Sequence, residues 1–338
     1  MNARKVLEMG GGTLLVSLPK AWARKNGITK GSTVAVDELS GRKLLVRPIE
    51  EAAEKPREAE VEYPKEGLRL TVNDVTGAYL LGYDVIRILG KKVISREDRV
   101  ALKTAIGRLI GLEIMDEDSK QITVQFLLEP SAIDPEKIVR RMSGIIEGMI
   151  KDTAEGVARG DGKLLSLVGE RDDEVDRLYF LLVRTIRTAI MHQEVAERYG
   201  LAPVDILDYR VLASFLESTG DAMAELSKRL HSIRLQRQAA REYSACVLKL
   251  NEMEELAIQS FLGRGAGRSR SAYTRVGELS REVSSMLLKI AQAVGSSSSL
   301  AVETLGAVEG VSKLLVDISD LAVPMGALQS PSKVPGSL

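Results

Sequence analysis

From about residue 134 to residue 323 the sequence holds a 3.6-residue apolar period through six long stretches, near 134–159, 162–198, 203–233, 236–262, 272–294 and 298–323. Each stretch carries one apolar stripe, so more than half of the chain is committed to helices that bury their stripes against other helices. GRGAGRSRS and GSSSS break the second half of this region, which divides the six helices into two sets of three. The expected helical domain covers 134–325, as two three-helix bundles. The tail 326–338 is rich in Ser and Pro and is expected to be disordered.

Ahead of the helices the pattern changes. Residues 1–50 read as RKVLEM, GGGT, LLVSLP, KAWARKNG, TVAVDEL and RKLLVRPI, a β-rich module of four short strands around one short helix. Gly10, Gly11 and Gly12 supply the backbone freedom of a tight hairpin, and Ser40-Gly41 does the same for a second one. Pro19 fits the first helical turn and Gly27 its end. Four such strands bury little surface, so a second copy is expected to complete the core, giving a homodimer. Residues 50–60, EEAAEKPREAE, read as a charged linker. Residues 61–130 read as a small α+β connector, with strands LRLTV and QITVQFLL and helices VTGAYLLGYDVIRIL and REDRVALKTAIGRLIG.

Two carboxylate pairs interrupt the helical stripes. Asp172 with Asp176, and Glu217 with Asp221, are each four residues apart, which places both members on one helix face. Asp172 falls inside the stripe Val168, Val175, Tyr179, Leu182 and Ile186, and Glu217 sits among Ala213, Gly220 and Ala224, which leave space. Like charges at this spacing repel, more so when dehydrated, so four carboxylates near a core need compensation. A cation, a proton or Arg171, Arg177 and Arg210 could each supply it. An all-oxygen shell suits Mg²⁺, Mn²⁺, Ca²⁺ or iron better than zinc. A partial repeat accompanies the pairs: VDRL at 175–178 and GDAM at 220–223 align with VSSM at 283–286 and SDLA at 319–322. On that alignment Ser280, Ser284, Val316 and Asp320 take the four acidic positions.

Lys plus Arg equals Asp plus Glu at 47 each, so no global field holds the protein on nucleic acid or membrane. Locally the balance differs. Residues 1–50 carry nine basic residues (Arg4, Lys5, Lys20, Arg24, Lys25, Lys30, Arg42, Lys43, Arg47) against four acidic ones (Glu8, Asp37, Glu38, Glu50). Arg4, Lys5, Lys20 and Arg24 are the candidate DNA contacts, because the first strand and the short helix bring them near one another. Contacts of this kind neutralise phosphates and weaken steeply with salt. A lone cysteine, Cys246, cannot form an internal disulfide and is expected to be inert core. No apolar run reaches 18 residues, so no integral membrane segment is expected and the cytoplasm is the expected compartment. His192 and His231 lie outside any E-x-x-H pattern and read as helix-surface residues. The GGGT turn joins two strands and lacks a P-loop's Lys-Ser/Thr. Trp22 reads as a core anchor of the short helix, and Tyr79 and Tyr83 as connector packing. No nucleophile and base arrangement is present, so no catalytic residue is assigned and the chain reads as non-enzymatic.

Two stretches resemble known families. RKVLEMGGGTLLVSLPKAWARKNGITKGSTVAV resembles the AbrB/SpoVT swapped-hairpin DNA-binding domain, in the version with VSLPK-x-W found ahead of archaeal PhoU domains. That resemblance implies an intertwined dimer whose Arg4, Lys5, Lys20 and Arg24 face DNA. ERDDEVDRL and LESTGDAMAEL are similar to the PhoU pattern, an E/D-x-x-x-D motif followed by one of the form LERIGD. The PhoU resemblance implies a phosphate-uptake regulator that acts with a phosphate transporter ATPase or a sensor kinase. It also implies divalent or multinuclear metal at Asp172, Asp176, Glu217 and Asp221. The leading expectation is a DNA-binding regulator of phosphate uptake or homeostasis. A PhoU-like adaptor that does not bind DNA comes second. An antitoxin-like partner protein comes third, disfavoured by the long ordered bundle, and a metal-dependent hydrolase comes last.

Overall fold

A computed structural model describes residues 3–39, 43–48, 56–64, 67–129, 132–263, 268–294 and 299–322. The Ser40-Gly41 turn and the tail 326–338 lie outside the described residues. The chain forms two compact units, Met1–Lys55 and Pro56–Leu338.

The first unit holds two antiparallel hairpins, β1 (Val6–Met9) with β2 (Thr13–Val16) and β3 (Val34–Leu39) with β4 (Lys43–Pro48), in two separate sheets. Helix α1 (Lys20–Lys25) lies between them, and Pro19 is its N-cap rather than part of its first turn. Gly11 and Gly12 take φ of 96° and 87° in the first turn, and Gly27 stops α1 at φ 67°. Among the described side chains of this unit none is fully buried. Val6, Leu7, Met9, Leu14, Leu15 and Val16 are all exposed, and Trp22 is only half-buried, so the expected core anchor has no closed interior around it.

The second unit begins with an α+β sheet. β5 (Glu58–Tyr63), α2 (Leu68–Leu80), β6 (Val85–Gly90), α3 (Arg96–Gly107), β7 (Leu112–Glu117) and β8 (Gln121–Phe126) build a four-stranded sheet of order β5-β6-β8-β7. β5 and β6 are parallel across α2, and β8 returns between β6 and β7 as an antiparallel strand. Two expectations are corrected. LRLTV belongs to a helix, because Thr71, Val75, Ala78 and Tyr79 form its buried face, and α2 ends near Gly82 at φ 78°. DVIRIL then becomes β6, with Val85, Ile86 and Ile88 buried in mid-sheet. The charged stretch 50–60 is not linker throughout either, since Glu58 already starts β5, whose Val61 and Tyr63 point into the core.

The helices follow as α4 (Pro135–Arg159), α5 (Gly162–Met191), α6 (Gln193–Arg198), α7 (Pro203–His231), α8 (Arg237–Leu262), α9 (Arg268–Val294) and α10 (Ser299–Asp320). The stretch 162–198 is therefore two helices, parted at His192 by an extended residue (φ −124°, ψ 98°). Asp134 and Asp161 cap α4 and α5 by accepting backbone N–H groups of the first turn, and Gly160 ends α4 at φ 66°. The first triplet is α4, α5 and α7, the second α8, α9 and α10, and the two share one continuous core. α4 of the first packs along α8 of the second.

Arg184 of α5 fastens the sheet to the helices. It is 4% exposed, donates to the carbonyls of Tyr79 and Tyr83 at 2.6 and 3.0 Å, and lies 3.8 Å from the centre of the Phe126 ring. A buried guanidinium is tolerated only with such partners, so α5 and the connector fold as one body. Nearby, Arg57 donates to Leu81 O at 2.9 Å and Met191 Sδ at 3.4 Å.

Candidate metal centre and nucleic-acid interface

α5 and α7 run antiparallel, and three contacts set their register. Asp172 packs on Gly220, Ser227 Oγ donates to Leu165 O at 2.8 Å, and His231 Nδ1 lies 2.9 Å from Gly162 O. A Cβ at Gly220 would meet Asp172 Oδ1 at 2.8 Å, so a larger residue there would displace that carboxylate. This close approach brings the two acidic pairs to one place. Asp176, Glu217 and Asp221 can each offer one oxygen within 4.8 Å of the others. Asp172 lies beside Asp221 at the edge of that trio, with its buried Oδ1 lacking a hydrogen-bond partner.

The electrostatics follow from this crowding. Asp172 is pushed up to about 7 by partial burial, then by Asp221, Asp176 and Glu217. Asp176 is raised by burial and by Asp221, and Glu217 by burial and then by Asp221 and Asp176. The three arginines near them make their closest contacts elsewhere. Arg171 pairs with Asp152, Arg177 with Glu174 at 2.8 Å, and Arg210 donates to Ser214 Oγ at 2.7 Å. Arg108 still lowers Asp176 and Arg210 lowers Glu217, but burial and the neighbouring carboxylates outweigh both. An oxygen-only set with a buried unpartnered oxygen fits a hard divalent cation.

The second triplet treats the same place differently, and contacts correct the repeat alignment on its last helix. Ser280, the counterpart of Asp172, hydrogen-bonds Ser312 at 3.0 Å, just as Asp172 meets Gly220. Gly220 thus corresponds to Ser312, and Glu217 and Asp221 to Glu309 and Lys313 rather than to Val316 and Asp320. Glu309 and Lys313 form an ion pair at 3.1 Å.

Two residues of the site were not anticipated. Lys228 and His231 continue the face of α7 that carries Asp221, seven and ten residues further on, and line a cavity of about 600 Å³ with Asp172 and Asp221. Their spacing from Asp221 was the available signal. The four basic candidates of the amino-terminal unit are all exposed: Arg4 and Lys5 just before β1, Lys20 and Arg24 at the two ends of α1. Cys246 is buried, as expected, with its thiol pushed up to about 12 by burial. Among the described residues no helix is long and apolar enough to cross a membrane.

A small β-rich unit with a basic excess thus precedes paired helical triplets that carry an acidic cluster. The particular families follow from comparison. Residues 139–230 match the PhoU domain, and residues 9–54 match the antidote-toxin recognition domain MazE of bacterial antitoxins, matches that support a phosphate-regulation-related protein with an amino-terminal domain of DNA-binding type. Both are non-enzymatic kinds of domain. A solved structure of PhoU from Pseudomonas aeruginosa is similar at 13% identity and a TM-score of 0.40, over 58% of this chain and 96% of that one. No curated protein sequence matches the chain.

Proposed function

We propose that the protein is a dimeric, DNA-binding regulator of phosphate homeostasis whose PhoU domain binds divalent metal. The observation that carries the metal half is the meeting of Asp172, Asp176, Glu217 and Asp221 without an ion pair to an arginine among the described residues. These residues would hold Mg²⁺, Mn²⁺, Ca²⁺ or iron, which supplies positive charge where four carboxylates crowd. Asp176→Ala with Glu217→Ala is expected to release the metal that wild-type protein retains through purification, read by elemental analysis. Equal metal content in the two proteins refutes this half.

For the amino-terminal unit, the exposed apolar faces of both hairpins support closure by a second copy, and the exposed basic residues support contact with phosphates. Affinity for DNA, followed by fluorescence anisotropy, is expected to fall steeply with salt. Arg4→Ala with Arg24→Ala should reduce the logarithmic salt slope by about one per lost phosphate contact. A slope unchanged by the double substitution counts against the DNA role. In mechanism, metal or a protein partner at the helical unit biases two arrangements of the paired amino-terminal units, which requires different affinities for the two states. DNA affinity that is identical with and without metal or partner rules that coupling out.

The match to a MazE domain favours a second reading, neutralisation of a toxin partner by the same unit. Mapping the sites bound in phosphate-rich and phosphate-starved cells separates the two, because only the first reading has operators that answer to phosphate.

A further inference from the structure

We propose that the groove between α5 and α7 binds a phosphate chain of two or three phosphoryl groups, inorganic or carried on a nucleoside. The chain would reach from a metal at the carboxylates to Lys228. The inference rests on the metal reading above and names the ligand class that the same site would take.

The groove has two unlike ends. At one, Asp172 and Asp221 form its wall and belong to the acidic cluster. At the other stand Lys228 and His231. Lys228 makes no ion pair among the described residues. The carboxylate nearest to it in sequence, Glu225, also lines the groove and feels the Lys228 charge, but is held by Arg229 at 2.7 Å. His231 Nδ1 donates to the Gly162 carbonyl, which fixes the ring at that end of the groove. With a cation at the acidic end, both ends attract anions, and the interval between them sets the ligand's length.

Asp221 and Lys228 are seven residues apart on α7, nearly two turns and about 10 Å along the axis. A single tetrahedral oxyanion held at the metal covers only part of that distance. Consecutive phosphoryl groups cover it, with terminal oxygens at both ends. Leu165, Gly169 and Ala224 add small or apolar surface to the lining, and a volume of about 600 Å³ suits a ligand of small-molecule size. If the phosphates are carried on a nucleoside, this apolar stretch receives its base. Gly169 also supplies the test: a Cβ at that position meets nothing within 4 Å, so a larger side chain there enters the groove without colliding with the fold.

The experiment uses the full chain loaded with Mn²⁺ and titrated calorimetrically with tripolyphosphate, ATP and orthophosphate, with Mn²⁺ content measured before and after. Tripolyphosphate or ATP is expected to bind at least tenfold more tightly than orthophosphate, and the tighter of the two identifies the source. Lys228→Gln should weaken that binding tenfold or more, and Gly169→Val should abolish it, both with Mn²⁺ content and thermal midpoint unchanged. Retained Mn²⁺ with no preference over orthophosphate, or with an unchanged Lys228→Gln affinity, overturns the inference and leaves the metal reading standing. Failure of the wild type to retain Mn²⁺ overturns both.

Discussion

The first and second helical triplets differ most where they correspond most closely. In the first, α5 and α7 approach over Gly220 and bring Asp172, Asp176, Glu217 and Asp221 together. In the second, α9 and α10 approach over Ser312, and the same positions hold a Ser280–Ser312 hydrogen bond and a Glu309–Lys313 ion pair. The second arrangement satisfies its polar groups internally. The first leaves raised carboxyls whose crowding a proton or a cation would relieve. An inverse asymmetry lies on the first helices, where buried Met142, Ile146 and Met149 of α4 correspond to Cys246, Leu250 and Met253 of α8. Continuing that register, Ile150 corresponds to Glu254, a fully buried carboxyl with no ion pair among the described residues. Burial pushes it up to about 8, with Glu147 and Glu255 adding and Ser143 and Lys151 opposing. One scaffold thus carries an open acidic site in one half and a closed, buried acid in the other.

The largest expected effect comes from exchanging the two solutions. Asp221→Lys would set an ammonium beside Glu217, as Lys313 stands beside Glu309, and should lower metal content more than tenfold. Ser280→Asp with Ser284→Asp and Lys313→Asp should conversely add a second equivalent per chain, both read by elemental analysis. An exchange that moves no metal breaks the correspondence. Next comes the inverse asymmetry: Ile150→Glu should cost roughly 3–5 kcal/mol in denaturant melts, whereas Glu254→Leu should stabilise by about 1–4 kcal/mol. The sign of the pH dependence sharpens this. Glu254 binds its proton more tightly folded, at about 8, than at the ordinary 4.5, so the folded state holds the extra proton between those values. Stability therefore falls as pH rises through that window, by up to about 1.4 kcal/mol per unit from this group. Glu254→Gln should remove that share of the slope while the acidic cluster keeps its own. The smallest contrast is between the two crossing points. Gly220→Ala, whose Cβ runs into Asp172, should cost about 1–3 kcal/mol. Ser312→Ala, which loses one hydrogen bond, should cost about 1 kcal/mol.

Much of this was legible in advance, for identifiable reasons. The long helices announced themselves through their period and through caps such as Asp134, Asp161 and Gly160. The acidic quartet was visible because carboxylates inside an apolar stripe violate its pattern. The connector was misread where an apolar run has no distinctive period: β6 is buried along much of its length, and such a strand looks like a piece of helix. The register of α10 failed for a subtler reason. A slip of seven residues is nearly two full turns, so the buried positions repeat almost unchanged, and only the meeting of Ser280 with Ser312 distinguishes the alternatives. Lys228 and His231 escaped notice because a charged residue on an outer helix face is ordinary until a neighbouring helix makes a wall beside it.

Arg184 has a practical consequence for anyone dividing this chain. Its two close acceptors, the carbonyls of Tyr79 and Tyr83, belong to the connector, and so does the ring that covers it. A truncation that starts at residue 134, where the helices begin, would strip that cation of its partners and uncover the apolar flank of α5. Cutting between Lys55 and Pro56 leaves the whole arrangement in place, so the natural unit for expression, crystallisation or domain exchange starts at Pro56.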